Sequence, residues 1–518
     1  ANISPMTAPT NIAASPRARA IVQGTRCSSA MELLMATVTI ARPSTVINTR
    51  NMVPSANLMV FSASCEWSGA TALMVDSIQW VTWDAVPPAG NSSHRPPQHD
   101  RCEDSSRLWT HHASTYARQR EFDMDFVVVR KMSRPRMSGP LAHTRAFAGS
   151  IPAIAGVTAP AELRVEAVSV SPRQLRDIAR DPEVTSIAPV IPTRLLKPLD
   201  SQVEAAAAVA LNWGIAAVGA DKSAFDGSGV RIAVLDTGID ATHVAFTGVT
   251  LTQEDFTGTG NGDGNGHGTH CAGTILGRDV NSIRIGVARG VTQALIGKVL
   301  DANGSGDSLM LFNGIQWAVR NQAQVISMSI GFDFPGFVDY LVNQEGYPIT
   351  QATSAALQAF MANLRAFDSI MDYVESQEAF GPGAIVVAAS GNESQHPGMP
   401  IHCSLPAASD GVVSVGAIGN GGGILNLAPF SNISCELVAP GMNVLSARAG
   451  GGLVAFQGTS MACPHVAGTA ALWWQAINAS VLPKRASTVL AKLIASAKVQ
   501  GLTNFDAGNY GYGLVQAP

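Results

Sequence analysis

Short apolar runs separated by helical stretches organise the rear part of the chain. Residues 230–235 (VRIAVL), 294–299, 325–329 and 384–389 (AIVVAA) are continuous rather than alternating. Buried parallel strands read this way, because both of their faces are covered. Residues 308–320 and 462–476 carry helical patterns, so strands and helices alternate. The pattern predicts an α/β fold, a parallel sheet with helices on both faces. Chemistry in such sheets gathers at the C-terminal ends of the strands.

The front part reads differently. Residues 126–130 (FVVVR) and 163–170 (LRVEAVSV) are strand candidates. Ser171, Pro172 and Gln174 form a helix start with a capping box, followed by Leu175 and Ile178. Residues 184–187 return to strand. This predicts a small β…β-α-β module ending near residue 198, then a linker over 200–209. Residues 1–120 show little periodicity and are expected to be an irregular extension of unknown role. The expected divisions are therefore 1–120, 121–208 and 209–518. Within the last, Leu357, Phe360, Leu364, Phe367, Met371 and Val374 recur at steps of three or four. They predict an amphipathic helix over about 353–378 whose apolar stripe packs inward.

Composition narrows the function. The chain has 518 residues, 46% hydrophobic and 14% charged, so it can bury a large core. No stretch reads as a membrane-spanning helix. A net charge of −4 gives no basic footprint for nucleic acid. Residues 1–208 carry 21 basic and 17 acidic side chains, and residues 209–518 carry 13 and 21. The two parts therefore have opposite sign. Seven cysteines are too few for a disulfide scaffold. Residues 1–30 lack the apolar run of a secretory signal, and the apolar segment 146–160 contains two prolines and lies deep in the chain.

Three segments carry candidate chemistry. Asp236 ends an apolar run in AVLDTGID, His267 sits in NGHGTHCAG, and Ser460 sits in GTSMACPHVAG. Singly, each has an ordinary reading as a cap or loop residue. Together they meet the needs of acyl transfer. A serine hydroxyl needs a base, and a histidine base needs a carboxylate to fix its tautomer. Asn392 in AASGNE follows an apolar run, where its amide can donate to an oxyanion.

These motifs, in the order Asp, His, Ser, resemble those of the subtilisin-like serine proteases. The resemblance covers about residues 213–516. It implies Asp236, His267 and Ser460 as the triad, Asn392 as one oxyanion donor and the Ser460 backbone N–H as the second. Losing such a donor costs about 3–4 kcal/mol of transition-state stabilisation, a magnitude known from a subtilisin. The resemblance further implies a cleft in which Gly304, Ser305 and Gly306 on one side and Ser329, Ile330 and Gly331 on the other clamp an extended peptide. Ala389, Ser390 and Gly391 would wall the pocket for the residue before the cut, with broad, apolar-leaning selectivity. Phe332 or Phe334 would narrow the pocket for the fourth residue.

By the same resemblance, residues 121–208 are a propeptide that inhibits the enzyme in cis and is cut off between about 198 and 209. Protein substrates, a monomer, export from the cell and no membrane or nucleic-acid partner are expected. No cofactor or metal is needed for the chemistry. The family's strong calcium site would need a carboxylate where Ala245 stands, and its other ligands fall near Val209 and Val280. Structural calcium elsewhere stays open. Residues 258–268 (GTGNGDGNGHG) lack the twelfth-position Glu of an EF-hand, since Thr274 stands there. Cys271 and Cys463 are expected in the core, and Cys403 with Cys435 is the candidate disulfide. A non-catalytic binding protein and a peptide ligase on the same fold are the alternatives; the intact quartet argues against the first, and no feature demands the second.

Overall fold

The computed structural model describes residues 124–132, 162–200 and 212–518. The extension at 1–120, the segment 146–160 and nearly all of the expected linker lie outside the described residues.

The N-terminal module consists of β1 (Met124–Met132), β2 (Glu162–Val170), α1 (Pro172–Ile178) and β3 (Val184–Pro189). Its antiparallel sheet has the order β2-β1-β3. The side chain of Gln174 takes the Ser171 N–H at 2.9 Å, which sets the start of α1. Two short strands follow, β4 (Pro192–Leu195) and β5 (Leu199–Asp200).

The larger part begins with α2 (Trp213–Ala217), β6 (Arg231–Asp236), β7 (Thr250–Asp255), α3 (His267–Leu276) and β8 (Gln293–Lys298). It continues with β9 (Ser305–Asp307), α4 (Ser308–Arg320), β10 (Val325–Met328), β11 (Ile330–Phe332), α5 (Phe334–Asn343) and α6 (Ile349–Ser376). Then come β12 (Ile385–Ala389), β13 (Val412–Gly421), β14 (Ile424–Leu427), β15 (Leu437–Pro440), β16 (Val444–Ala447) and β17 (Leu453–Gln457). The chain closes with α7 (Thr459–Asn478), α8 (Ala486–Ala495) and α9 (Ala507–Tyr510). The main sheet has the order β14-β13-β12-β10-β6-β8-β7, with β15 beside β13. Apart from the antiparallel β13–β14 pair, its ladders are parallel.

Successive residues of the apolar strands feed opposite faces, as the two-residue strand period requires. Ile232 and Val234 join the core under α3, α7 and α8. Ala233 and Leu235 join the core under α4 and α6. The second core also takes in Val127, Val129, Leu163 and Ala188 of the N-terminal module. Buried polar groups tie that contact. Asn363 on α6, fully buried, donates to the Pro189 carbonyl at 2.9 Å. Gln316 on α4 donates to the Leu163 carbonyl.

Helix α6 begins earlier than expected, and five residues of the expected stripe pack inward, with Phe367, Met371 and Val374 buried and Phe360 and Leu364 half-buried. It starts at Ile349, and Leu357 is 51% exposed. The buried stripe is Ala352, Ala356, Ala359, Asn363, Ala366, Phe367, Ile370, Met371 and Val374. Small alanines let the helix lie close against β3, which a stripe led by leucine would prevent. Phe367 meets Phe312 of α4 edge-on at 5.6 Å.

Candidate active site

Asp236 is the last residue of β6, so its carboxylate stands at the C-terminal edge of the sheet. His267 opens α3 after Gly266, whose φ of +97° is a left-handed turn suited to glycine. His267 Nδ1 lies 2.8 Å and 3.0 Å from the two carboxylate oxygens of Asp236. Both residues are 1% exposed. An ionised carboxylate only accepts, so Nδ1 carries the proton and Nε2 is left to act as a base.

The loop weighed above as a calcium loop has another job. Asp263 Oδ1 accepts from Thr237 Oγ1 (2.8 Å) and from the Gly266 N–H (2.7 Å). Its Oδ2 accepts from the Thr269 N–H (2.8 Å) and hydroxyl (2.6 Å). Thr237 Oγ1 in turn accepts from the Gly268 N–H at 3.0 Å. Asp263 therefore staples the residue after Asp236 to the first turn of the His267 helix. Burial works to raise its pKa, but the hydrogen bonds from Thr269, Gly266 and Thr237 outweigh it and hold the carboxyl below its ordinary range. Sequence reasoning passed over Asp263 as a staple; an Asp four residues before a helix-opening His was the available signal.

Ser460 is the second residue of α7, where helix N–H groups have no intrahelical acceptor. Its carbonyl is held from outside the helix, by Ser329 Oγ at 3.3 Å and Cys271 Sγ at 3.4 Å. Cys271 also lies 3.7 Å from His267 Nδ1. Burial, with the Asp236 charge second, pushes this thiol up, so it stays neutral beside the His–Asp pair. Cys463 is likewise buried, against the Met328 carbonyl at 3.5 Å. Among the described residues, Asp236, His267 and Cys271 are the group whose carboxylate, imidazole and thiol atoms lie within 4.8 Å of one another. A soft metal ion binding there would consume the base itself.

Asn392 follows β12. Its Oδ1 accepts from the Thr459 N–H (2.8 Å) and hydroxyl (2.9 Å). Those bonds fix the amide plane and turn Nδ2 into the cleft. There Nδ2 meets the carbonyls of Lys197 (3.2 Å) and Leu196 (3.5 Å). Ser460 Oγ donates to the same Leu196 carbonyl at 3.1 Å.

The segment that brings Leu196 here is the tail of the N-terminal module. β4 lies between β9 and β11, antiparallel to both, with Thr193 opposite Gly306 and Phe332 and Arg194 opposite Ser305 and Gly331. The Leu195 N–H donates to the Gly304 carbonyl at 2.7 Å. Two glycines make this approach possible. A Cβ on Gly304 would sit 2.7 Å from the Leu195 Cβ, and one on Gly331 would sit 2.7 Å from Leu196 Cδ2. Beyond Ser460, β5 pairs with β17 through Leu199 opposite Gln457. The chain thus crosses the cleft paired on both sides of Ser460. The bond set at Ser460 is Leu196–Lys197, just ahead of the 198–209 range that the resemblance implied for the cut.

Leu195 and Leu196 are both buried. Ala389, Ser390 and Gly391 lead from β12 into Asn392, and the Gly391 N–H donates to Thr459 Oγ1 at 3.2 Å. Of the two phenylalanines, Phe332 stands opposite Thr193, the fourth residue before the bond. Phe334 turns away and packs edge-on against Phe360 at 5.9 Å. The expected Cys403–Cys435 disulfide is not formed; both thiols are free. Cys403 Sγ donates to the Ser434 carbonyl at 3.4 Å, while Cys435 is buried beside the Asn509 carbonyl at 3.9 Å. The two sulfurs thus take separate partners.

The subtilase family pattern matches residues 227–513. Subtilisin DY of Bacillus licheniformis is 34% identical over 312 residues, 58% of this chain and 96% of that protein. Subtilisin E of Bacillus subtilis is 34% identical over 254 residues, 48% of this chain and 56% of that protein. A thermostable alkaline protease of Halalkalibacterium halodurans is 31% identical over 321 residues, 60% of this chain and 72% of that protein. The fold and site define a serine protease that hydrolyses peptide bonds. The chain belongs to the subtilase family.

Proposed function

We propose that the protein is an endopeptidase made as a zymogen, and that its first substrate is its own Leu196–Lys197 bond. Ser460 Oγ attacks the Leu196 carbonyl carbon while His267 Nε2 takes the hydroxyl proton. Asp236 holds the imidazole and stabilises its charged form. Asn392 Nδ2 and the Ser460 N–H receive the negative oxygen. The C–N bond to Lys197 breaks, His267 returns the proton to the leaving nitrogen, and water then hydrolyses the Leu196 ester. Residues 124–196 remain as a product inhibitor, held by strand pairing and by the α4–α6 contact, until they are removed. No step needs a metal.

The observation that carries this reading is the Leu196 carbonyl 3.1 Å from Ser460 Oγ on a strand clamped from both sides. Because Ser460 is fully buried in this state, a fluorophosphonate should label it only after residues 124–196 leave. Mass spectrometry of the labelled peptide tests this. Label on another residue, or casein hydrolysis by protein whose Ser460 stays unlabelled and unlabellable, would contradict the assignment.

A further inference from the structure

Three of the four side chains before the Leu196–Lys197 bond are buried, and the fourth is not. Thr193, Leu195 and Leu196 are 2–4% exposed. Arg194, the third residue before the bond, reaches sideways across the cleft rim. Its Nη1 lies 3.2 Å from Asp333 Oδ1, and its Nη2 lies 3.4 Å from Glu393 Oε1. The two carboxylates come from opposite walls. Asp333 joins β11 to α5, and Glu393 follows the oxyanion residue Asn392.

Neither carboxylate depends on Arg194 for its position. Asp333 caps α5, accepting from the Gly336 N–H at 3.0 Å. Glu393 Oε2 accepts from Asn432 Nδ2 at 2.8 Å. Asn432 Oδ1 in turn accepts from the Glu393 N–H at 3.2 Å. Both acids therefore stay in place when the tail leaves. Two fixed like charges a guanidinium's width apart favour a cation between them, and the planar fork of arginine spans them with two donors.

We propose that Asp333 and Glu393 form a subsite that selects a basic side chain, arginine above all, at the third residue before the cut. This rests on the endopeptidase reading and adds substrate selection to it. The pairs are partly exposed, so the effect is moderate and salt-sensitive. Each pair is worth roughly 1.5- to 5-fold, which makes arginine about 2- to 25-fold better than alanine. Glutamate there should be worse than alanine.

The test uses quenched-fluorescence peptides copying residues 191–200 and differing only at the place of Arg194, with Arg, Ala or Glu. They are given to the full chain after it has processed itself, and to the same chain carrying Asp333→Asn and Glu393→Gln. The expected order of kcat/KM is Arg, Ala, Glu. The spread should narrow in 1 M salt by screening, roughly to a 3 Å Debye length, and should collapse in the double variant. Equal rates for Arg and Glu in the parent, or a preference that the double variant keeps, would overturn the subsite while leaving the protease reading intact. A chain that cleaves none of the peptides would overturn the endopeptidase reading, and the selection with it.

Discussion

Pro464 has no N–H to offer the Ser460 carbonyl four residues earlier in α7, and the carbonyl is held instead by Ser329 and Cys271. A proline inside a helix removes the i to i−4 bond. Here the freed acceptor is on the candidate nucleophile. Two donors from the other walls of the site take it, so the backbone of Ser460 is anchored to the elements that carry His267 and the cleft edge.

Ser329→Ala should therefore cost about 1 kcal/mol of stability and lower kcat several-fold through a looser Ser460. In a Pro464→Ala background the helix supplies its own N–H, so the same substitution should cost less. A double-mutant cycle on unfolding and on kcat checks this. Additive effects would mean that Pro464 and Ser329 do not share the Ser460 carbonyl.

Thr193 fills the fourth pocket with a hydroxyl that is buried and has no hydrogen-bond partner among the described residues. An unsatisfied buried hydroxyl weakens the hold of the tail by about 1–3 kcal/mol. Thr193→Val keeps the shape and removes the polar atom. Activation should then be slower by roughly fivefold or more, at about 1.4 kcal/mol per tenfold. The lag before peptide hydrolysis measures it. An unchanged or shorter lag would mean that the hydroxyl is no burden.

Much of this arrangement is legible in the chain. The strands at 231–236 and 385–389 announce themselves as uninterrupted apolar runs, and the helix Ser308–Arg320 falls where its pattern placed it. The motifs around Asp236, His267, Asn392 and Ser460 name their residues because each chemistry needs a particular side chain. What was hidden depends on pairing between distant segments. The position of Leu196 follows from the register of β4 against β9 and β11, which linker composition does not encode. Alanine was undervalued on α6 because hydrophobic periodicity weights leucine, while close approach to β3 favours the smaller residue.

The segment near Val280 is held by the chain's own cations. Arg278 Nη2 donates to the Val291 carbonyl at 2.8 Å, and Arg284 Nη2 to the Val287 carbonyl at 3.0 Å. The Arg284 carbonyl takes the Asn212 amide. Chelation with EDTA should leave the melting temperature unchanged, while Arg284→Ala should lower it by a few degrees, as a loss of about 1–2 kcal/mol would. A large drop in EDTA would show that a bound ion does this work.

Two buried imidazoles make the fold acid-sensitive. Burial, with the nearby His267 second, pushes His270 down to about 3, and burial pushes His465 down to about 4. Both pKa values are lowered by folding, so between pH 6.5 and about 4 the unfolded chain binds the extra protons. Stability should then fall with acid across that window, by roughly 1.4 kcal/mol per pH unit for each histidine. Denaturant melts of the Ser460→Ala chain from pH 7.5 to 4.5 read the slope. His465→Asn should flatten it by about half, and a flat profile in the parent would contradict the burial argument.

The most direct measurement is an intact-mass time course of the freshly folded full chain beside its Ser460→Ala variant. The parent should break between Leu196 and Lys197, and the variant should stay whole. Cleavage of the variant at the same bond and rate, or a parent that stays whole while hydrolysing other proteins, would contradict self-cleavage through Ser460.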